Sequence, residues 1–224
     1  MNVEQARFNM IEQQIRPWDV LDAHVLDLLA AVRREDFVPP AHRALAFADL
    51  EIPLKPGEQA VARGQVMLAP RVEARMLQDL QVAKHEKVLE IGTGSGFLTA
   101  CLARLAAQVV SVELHADFVA AARARLATAG IANAQVEQAE AVLGFEPKRE
   151  FDAIAVTGAV HTLPERFKRW LKPGGRLFVI EGESPVQSAR LYVRSGAQQF
   201  AATGLFETDL PYLTHATPPR SFSL

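Results

Sequence analysis

The sequence predicts an α/β protein built around a mostly parallel β-sheet flanked by helices. From Lys87 onward, short apolar runs alternate with helix-length segments, which is the pattern of strands joined by crossover helices. In the stretch from Val88 to Phe97, an apolar strand leads directly into three alternating glycines and a helix. Composition agrees, because 49% of the 224 residues are hydrophobic and 22% are charged, as in ordinary globular proteins.

Composition and charge exclude several classes of protein. With 24 Lys and Arg against 26 Asp and Glu, the formal charge is −2, so we expect no nucleic-acid partner. No run approaches the roughly 18 apolar residues of a membrane span, and the N-terminus lacks a signal-peptide pattern, so we expect a cytoplasmic protein without a membrane partner. The single cysteine, Cys101, excludes an internal disulfide and fits a reducing compartment. The six histidines show no paired spacing, and we expect no metal.

The chain is expected to form one compact unit with two parts. Residues 1–80 are predicted to form N-terminal helices and a loop that cover the substrate side of a core formed by residues 81–224. The loop is predicted at residues 51–70, which carry several prolines and glycines. A helix from Arg71 to Leu80 then leads into the core.

Two amphipathic helices are predicted before the loop. The first ends at Pro17, and its apolar face consists of Phe8, Ile11 and Ile15. The second is capped by Asp22 and ends before Pro39. Its apolar face consists of Val25, Leu26, Leu29 and Val32.

The core is predicted to contain seven strands, with an antiparallel strand at the end. The five parallel strands are Lys87–Ile91, Val109–Glu113, Gln135–Gln138, Phe151–Thr157 and Arg176–Ile180. The helices between them lie near Phe97–Leu105, Ala116–Ala129 and Pro164–Trp170. Two further strands, Ala189–Arg194 and Leu205–Leu213, are expected as a hairpin at the sheet edge.

The glycine turn indicates a ligand site. Gly92, Gly94 and Gly96 permit positive φ and allow a ligand to approach the backbone closely. The helix that follows points free N–H groups toward the same place. The spacing is G-x-G-x-G rather than that of the dinucleotide fingerprint. Together with Glu90, Thr93 and Ser95 it resembles the first motif of class I S-adenosylmethionine methyltransferases, and the structural alternative is a tight turn without a ligand.

Two carboxylates lie where this cofactor would need acceptors. Glu113 ends the second core strand, where an acidic side chain can accept both ribose hydroxyls. Glu140 follows the third strand and could accept from the adenine amino group, although a solvated loop glutamate fits equally well. The residues after them, Leu114 and Ala141, belong to the same predicted cofactor site.

With these residues, the chain resembles the protein-L-isoaspartate O-methyltransferase family over almost its whole length. The resemblance is carried by LEIGTGSGF (Leu89 to Phe97), the helical leader from Met10 to Pro39, and the stretch from Phe151 to Ile180. It implies a class I methyltransferase (Rossmann-like) fold with S-adenosyl-L-methionine as cofactor. It also implies an O-methyltransferase that acts in protein repair, on the carboxylate of L-isoaspartyl residues in damaged protein.

The chain departs from the family at the substrate loop. The family's Gly-Gln-Thr-Ile-Ser-Gln-Pro-like segment reads Gly64 to Pro70 here; Gln65 remains, but both hydroxyl positions have become Val66 and Leu68. The approach from Lys55 to Arg63 also appears several residues longer. Methyl transfer to an ionised carboxylate needs no general base, but it needs donors that position the acceptor. A loop without hydroxyls suits a less polar acceptor.

Three functional hypotheses therefore stay open, and no catalytic residue is assigned. They are isoaspartyl methylation of a protein or peptide, methylation of another acceptor such as a small molecule, and cofactor binding without catalysis. The residues Gln65, Val66 and Leu68 are the candidates on the loop. His161 follows the fourth strand and could act as base or as an orienting donor; the structural alternative is a surface or loop histidine. Thr157, at the end of that strand, could offer a hydroxyl in the cleft and is counted with the predicted cofactor site; the structural alternative is a threonine bonded to backbone. The sequence indicates no oligomeric state.

Overall fold

A computed structural model gives the structure of residues 2–57, 60 and 64–219. The helices are α1 (Val3–Met10), α2 (Ala23–Ala31), α3 (Pro70–Leu80), α4 (Phe97–Leu105), α5 (Ala116–Thr128) and α6 (Glu165–Arg169). The strands are β1 (Ile52–Pro53), β2 (Val66–Met67), β3 (Lys87–Ile91), β4 (Gln108–Glu113), β5 (Ala134–Gln138), β6 (Phe151–Val160), β7 (Leu171–Glu183), β8 (Val186–Arg194) and β9 (Phe200–Thr208).

The seven strands β3 to β9 form the central sheet in the order β5-β4-β3-β6-β7-β8-β9, which confirms the predicted architecture. Strand β3 lies inside the sheet and pairs in parallel with β4 and β6, and β5 and β7 extend the parallel set. Strand β8 is antiparallel to both of its neighbours. The antiparallel strand is therefore β8 rather than the last one, because two successive hairpin reversals turn β9 back to the direction of β7.

The last predicted strand, Leu205–Leu213, is wrong in its bounds. Strand β9 ends at Thr208, and the segment after it pairs with the end of β6 instead. There, the Ala159 N–H donates to the Pro211 carbonyl at 2.9 Å, and the Leu213 N–H donates to the Ala159 carbonyl at 2.8 Å. Pro211 has no N–H to continue a ladder, which is why a regular strand does not run through it.

The N-terminal helices have the predicted apolar faces except at one residue, but α2 ends at Ala31, before the predicted stop at Pro39, because the backbone of Val32 is extended. Asp22 caps α2, and its carboxylate accepts from the His24 N–H at 2.8 Å. Ile11 and Ile15 are buried, but Phe8 is 57% exposed, so its predicted place on the apolar face is wrong. The reason is a π-helical turn over Ile11–Ile15, which adds a residue to the turn and rotates the preceding face away from the core.

The predicted loop at residues 51–70 contains a short antiparallel pair. Ile52 pairs with Met67, and Pro53 pairs with Val66. The predicted lengthening between Lys55 and Arg63 falls largely on residues 58–59 and 61–63, which lie outside the described residues.

One hydrophobic cluster joins the N-terminal helices to the sheet. It extends from Ile15 and Leu29 through Met76 to Val88 and Cys101. Cys101 is completely buried on α4, and burial raises the pKa of its thiol well above the ordinary value. The division of the chain at residue 80 stays a prediction. No described helix combines the length and apolar character needed to cross a membrane.

Candidate active site

Two adjoining cavities open at the carboxyl ends of β3, β4 and β6, where ligands bind in open α/β sheets. The inner cavity extends over the glycine turn and is bordered by the predicted substrate loop. The outer cleft continues from it toward Glu51 and Asp209. The boundary between them is called the neck, and its residues line both spaces: Gly64, Gln65, His115, Pro211, Tyr212, Leu213 and Thr214.

The glycine turn forms the floor of the inner cavity through two of its three glycines. Gly92 and Gly94 line the cavity and have φ values of 98° and 51°. A Cβ on Gly92 would collide with the Thr157 hydroxyl, so only glycine fits there. Gly96 instead faces α5, where an added Cβ would lie 3.2 Å from the Ala122 Cβ. The third glycine therefore serves close helix packing rather than the cavity.

Glu113 lies at the cavity wall with its carboxylate held in place. Its Oε2 accepts from the Gly94 N–H at 2.9 Å, and its Oε1 accepts from the His115 N–H at 3.0 Å. Each carboxylate oxygen has a second lone pair, so two further hydrogen bonds can be accepted. The side chain is thus an oriented pair of acceptors beside the turn.

Three of the predicted cofactor residues lie behind the turn, away from the cavity surface. Glu90 is fully buried, and its carboxyl accepts from the hydroxyls of Thr99 and Ser111. Burial raises the pKa of Glu90 to about 8. The Thr93 hydroxyl is hydrogen-bonded to that of Ser111 at 2.5 Å, and the Ser95 hydroxyl accepts from the Phe97 N–H at 3.1 Å. These side chains support the turn from below.

Glu140, Ala141, Leu114 and Thr157 line the inner cavity as predicted. The carboxylate of Glu140 accepts from the backbone N–H groups of Val142 at 3.0 Å and Leu143 at 2.5 Å. The Thr157 hydroxyl lies 2.9 Å from the Ile91 carbonyl and 2.6 Å from the Gly92 carbonyl. Since the hydroxyl proton is used on backbone, Thr157 fits the structural reading of a backbone-bonded threonine.

All three loop candidates, Gln65, Val66 and Leu68, line the inner cavity. The loop is anchored from behind by Arg34, whose guanidinium donates to the Leu68 carbonyl at 2.6 Å and to the Ala46 carbonyl at 2.9 Å.

Arg34 itself is buried in an ion pair with Glu73, and its guanidinium lies 4.8 Å from the centre of the Phe97 ring. Burial raises the pKa of Glu73 to about 7, against the lowering effect of Arg34. The sequence did not reveal this anchor, because Arg34 stands in a charged run that reads as a solvated face.

His115 is a cavity residue that sequence reasoning missed. Its Nε2 lies 3.2 Å from the Nε2 of Gln65, which connects the loop to the turn after β4. Its ring packs edge-on against Phe118 at 5.4 Å. The one signal in the sequence is that His115 stands two residues after Glu113, which places it at the same end of the strand as the predicted cofactor site.

His161, in contrast, lines neither cavity, and the segment after β9 takes the place expected for it. Its backbone N–H donates to the Ala216 carbonyl at 2.7 Å, so this strand end is covered by chain. The covering residues Pro211 to Thr214 form the wall of the neck. Among the described residues, no group of three or more His, Cys, Asp or Glu is arranged to hold a metal ion.

Known proteins similar to this chain point to one family. The sequence profile described as protein-L-isoaspartate(D-aspartate) O-methyltransferase matches residues 5–211. A protein-L-isoaspartate O-methyltransferase of Methylorubrum extorquens (strain PA1) is 37% identical over 196 residues, which cover 88% of this chain and 82% of the relative. A relative of the same name from Koribacter versatilis (strain Ellin345) is 36% identical over 199 residues, which cover 89% and 86%.

A solved structure shows the same fold. It is a Plasmodium falciparum protein described as a putative protein-L-isoaspartate O-methyltransferase, in complex with S-adenosyl-L-homocysteine. It superimposes with a TM-score of 0.77 at 20% identity and covers 95% of this chain and 98% of its own.

Proposed function

The chain belongs to the protein-L-isoaspartate(D-aspartate) O-methyltransferase family, and we propose that it methylates the free carboxylate of L-isoaspartyl residues in protein. It is an S-adenosylmethionine-dependent methyltransferase, as this membership establishes. The observation that supports the proposed acceptor is that one cavity joins the glycine turn and Glu113 to the loop segment that resembles the family's substrate loop.

We assign the cofactor to the inner cavity because the donor and acceptor groups there fit it. Glu113 presents two oriented acceptors for the ribose hydroxyls, and Gly92 and Gly94 leave room for close backbone approach. Leu114 and Ala141 offer apolar surface, with Glu140 beside them. When bound, S-adenosylmethionine supplies a methyl group on a positively charged sulfur.

The proposed reaction asks the protein for position rather than for proton transfer. A carboxylate with a pKa of about 4 is already the nucleophile at pH 7, so no base has to lie next to it. The absence of His161 from the cavity lining is consistent with such an acceptor. Holding the reacting atoms in line can be worth roughly 7–11 kcal/mol of the barrier.

A second candidate is methylation of a less polar or smaller acceptor at the same site. Val66 and Leu68 line the cavity, so the loop offers hydrocarbon where the family has hydroxyls. Burying a charged acceptor against such a surface is unfavourable unless other groups donate to it. Membership in a family of enzymes argues against the third hypothesis, a non-catalytic module.

Transfer of labelled methyl groups separates the two candidates. The substrates are an isoaspartyl peptide and the aspartyl peptide of identical sequence, each with the unmodified protein and labelled S-adenosylmethionine. We expect base-labile label on the isoaspartyl peptide alone. Label on small apolar acceptors with none on the isoaspartyl peptide would replace this proposal with the second candidate.

We also propose that the protein works in the cytoplasm. The support is its single cysteine, Cys101, which is free and buried, as suits a reducing compartment. Detection of the protein in the soluble cytoplasmic fraction of cells tests this location.

A further inference from the structure

The acceptor needs hydrogen-bond donors that the loop side chains of Val66 and Leu68 do not provide. Both of these side chains consist of hydrocarbon and line the inner cavity. A carboxylate in a partly enclosed site must still be satisfied, since an unpaired buried charge is strongly unfavourable. Side-chain donors for the acceptor must therefore come from other residues of the cavity.

Gln65, His115, Tyr212 and Thr214 are the described polar side chains at the neck, through which an acceptor from the outer cleft would reach the inner cavity. Tyr212 is turned to other partners, because its hydroxyl accepts from the Ser184 N–H at 2.9 Å and donates to the Gly182 carbonyl at 3.0 Å. Gln65 and His115 point to each other across the neck, with 3.2 Å between their Nε2 atoms.

Both the backbone and the side chain of His115 make contacts that position it. Its backbone N–H donates to Glu113, the proposed ribose acceptor, and its ring packs against Phe118. Lys55 of the loop forms an exposed ion pair with Asp117 in the first turn of α5, the helix that follows His115, with 2.7 Å between Nζ and Oδ2. The imidazole is therefore a fixed group beside the cofactor site and on the route of the acceptor.

We propose that His115, together with Gln65, binds the acceptor carboxylate at the neck in place of the hydroxyls absent from the loop. An imidazole and a primary amide together offer up to four N–H donors, which matches the lone pairs of a carboxylate. The Gln65–His115 contact is exchanged for contacts to the acceptor when it enters. This inference rests on the proposed function, because it takes the acceptor to be a carboxylate.

Variants of His115 test the inference with two separate readouts. His115→Phe keeps a ring against Phe118 without N–H groups, and His115→Gln keeps donors without the ring. The matched control is His85→Phe, because His85 is exposed and lines neither cavity. The measurements are kcat/KM for the isoaspartyl peptide and the affinity for S-adenosylhomocysteine by calorimetry.

We expect His115→Phe to lower kcat/KM for the peptide by about 10- to 100-fold, the range for a hydrogen bond to a charged group. The affinity for S-adenosylhomocysteine should stay within about twofold of that of the unmodified protein, because the lost contact is to the methyl acceptor and the cofactor contacts remain. His115→Gln should recover part of the loss, and the His85 control should behave as the unmodified protein.

Unchanged peptide kcat/KM in His115→Phe would overturn the inference and leave the proposed function standing. An equal loss of S-adenosylhomocysteine affinity would assign His115 to the cofactor and also overturn it. If the unmodified protein does not methylate the peptide, the proposed function fails. The inference about His115 is then decided by measuring how tightly the peptide binds to the complex of the protein with S-adenosylhomocysteine. Binding that is weakened by His115→Phe supports the inference, whereas binding that is unaffected or absent overturns it.

Discussion

Two halves of the inner cavity differ in construction. The half proposed for the cofactor, here called the cofactor half, is formed by Gly92, Gly94 and Glu113, and the half proposed for the acceptor, here called the acceptor half, is formed by Gln65–Leu68 and Pro211–Thr214. The first lies on the ends of hydrogen-bonded strands and presents backbone and one buried carboxylate. The second consists of two segments outside the parallel strands, held by Arg34 and by the end of β6. Cofactor chemistry is thus fixed by the sheet, while acceptor chemistry can change through single side chains.

Loss of the buried anchor should have the largest effect. Arg34→Met removes the donors to Leu68 and Ala46 and leaves Glu73 buried without its partner, so we expect the free energy of unfolding to fall by about 3–5 kcal/mol. The loss should be smaller at pH 6 than at pH 8. Arg34 lowers the pKa of Glu73, so without it this pKa rises further, and the folded variant gains more stability from a protonated Glu73 at the lower pH.

Urea denaturation measures this loss. Arg33→Met is the control. The Arg33 side chain also forms ion pairs but is 66% exposed, so its loss should have little effect on stability. Equal effects of the two changes would show that the acceptor half does not depend on the anchor.

The buried carboxyl beneath the cofactor half should make stability depend on pH. The folded pKa of Glu90 is raised to about 8 from an ordinary 4.5, so the folded chain holds a proton that the unfolded chain releases between these values. The contribution of protonated Glu90 to the free energy of unfolding is present at low pH and is lost as pH rises toward 8. The unfolding free energy of the unmodified protein minus that of Glu90→Gln should fall by roughly 3 kcal/mol from pH 5 to pH 8. The unfolding free energies come from denaturant titrations at each pH. A constant difference between the two proteins from pH 5 to pH 8 would contradict this prediction.

Removal of the carboxylate at the cavity wall should sharpen the contrast between the halves. We expect Glu113→Ala to weaken S-adenosylmethionine binding by about 1.5–3 kcal/mol, as for a lost hydrogen bond to a charged group. Val66→Thr, a nearly isosteric change in the acceptor half, should leave this affinity unchanged. Calorimetry measures both, and full affinity in Glu113→Ala would place the ribose elsewhere.

Restoring the loop hydroxyls should have the smallest effect. The double change Val66→Thr and Leu68→Ser should raise kcat/KM for an isoaspartyl peptide about tenfold, equivalent to one modest hydrogen bond. Leu68 is 6% exposed and packs in the core, so the variant should also be less stable and is best assayed at low temperature. Efficient methylation by the unmodified protein, with no gain in the variant, would show that the present neck residues suffice.

Local patterns made most of the fold predictable. Strand β3 and helix α4 have the predicted bounds, because a buried apolar run and a glycine turn are encoded by adjacent residues. The π-helical turn that exposes Phe8 has no comparable signature, and the segment around Pro211 was mistaken for a strand from its apolar content.

The site divides in the same way. Gly92, Gly94 and Glu113 were found through motif spacing, and all three line the cavity. Contacts between distant residues were not found: Gln65 meets His115 across 50 positions of sequence, and Arg34 meets Glu73 across 39. Nothing local distinguishes such residues from solvated ones, since only the tertiary packing brings them together.

The burial of Cys101 gives the protein an intrinsic reporter of local opening. As the chain's one cysteine, fully enclosed on the helix that follows the glycine turn, it should react with thiol reagents only when that helix leaves the sheet. Its labelling rate in native buffer therefore measures openings that free this helix from the hydrophobic cluster around it. Addition of S-adenosylhomocysteine should slow the labelling, because a ligand that binds the folded chain makes such openings rarer.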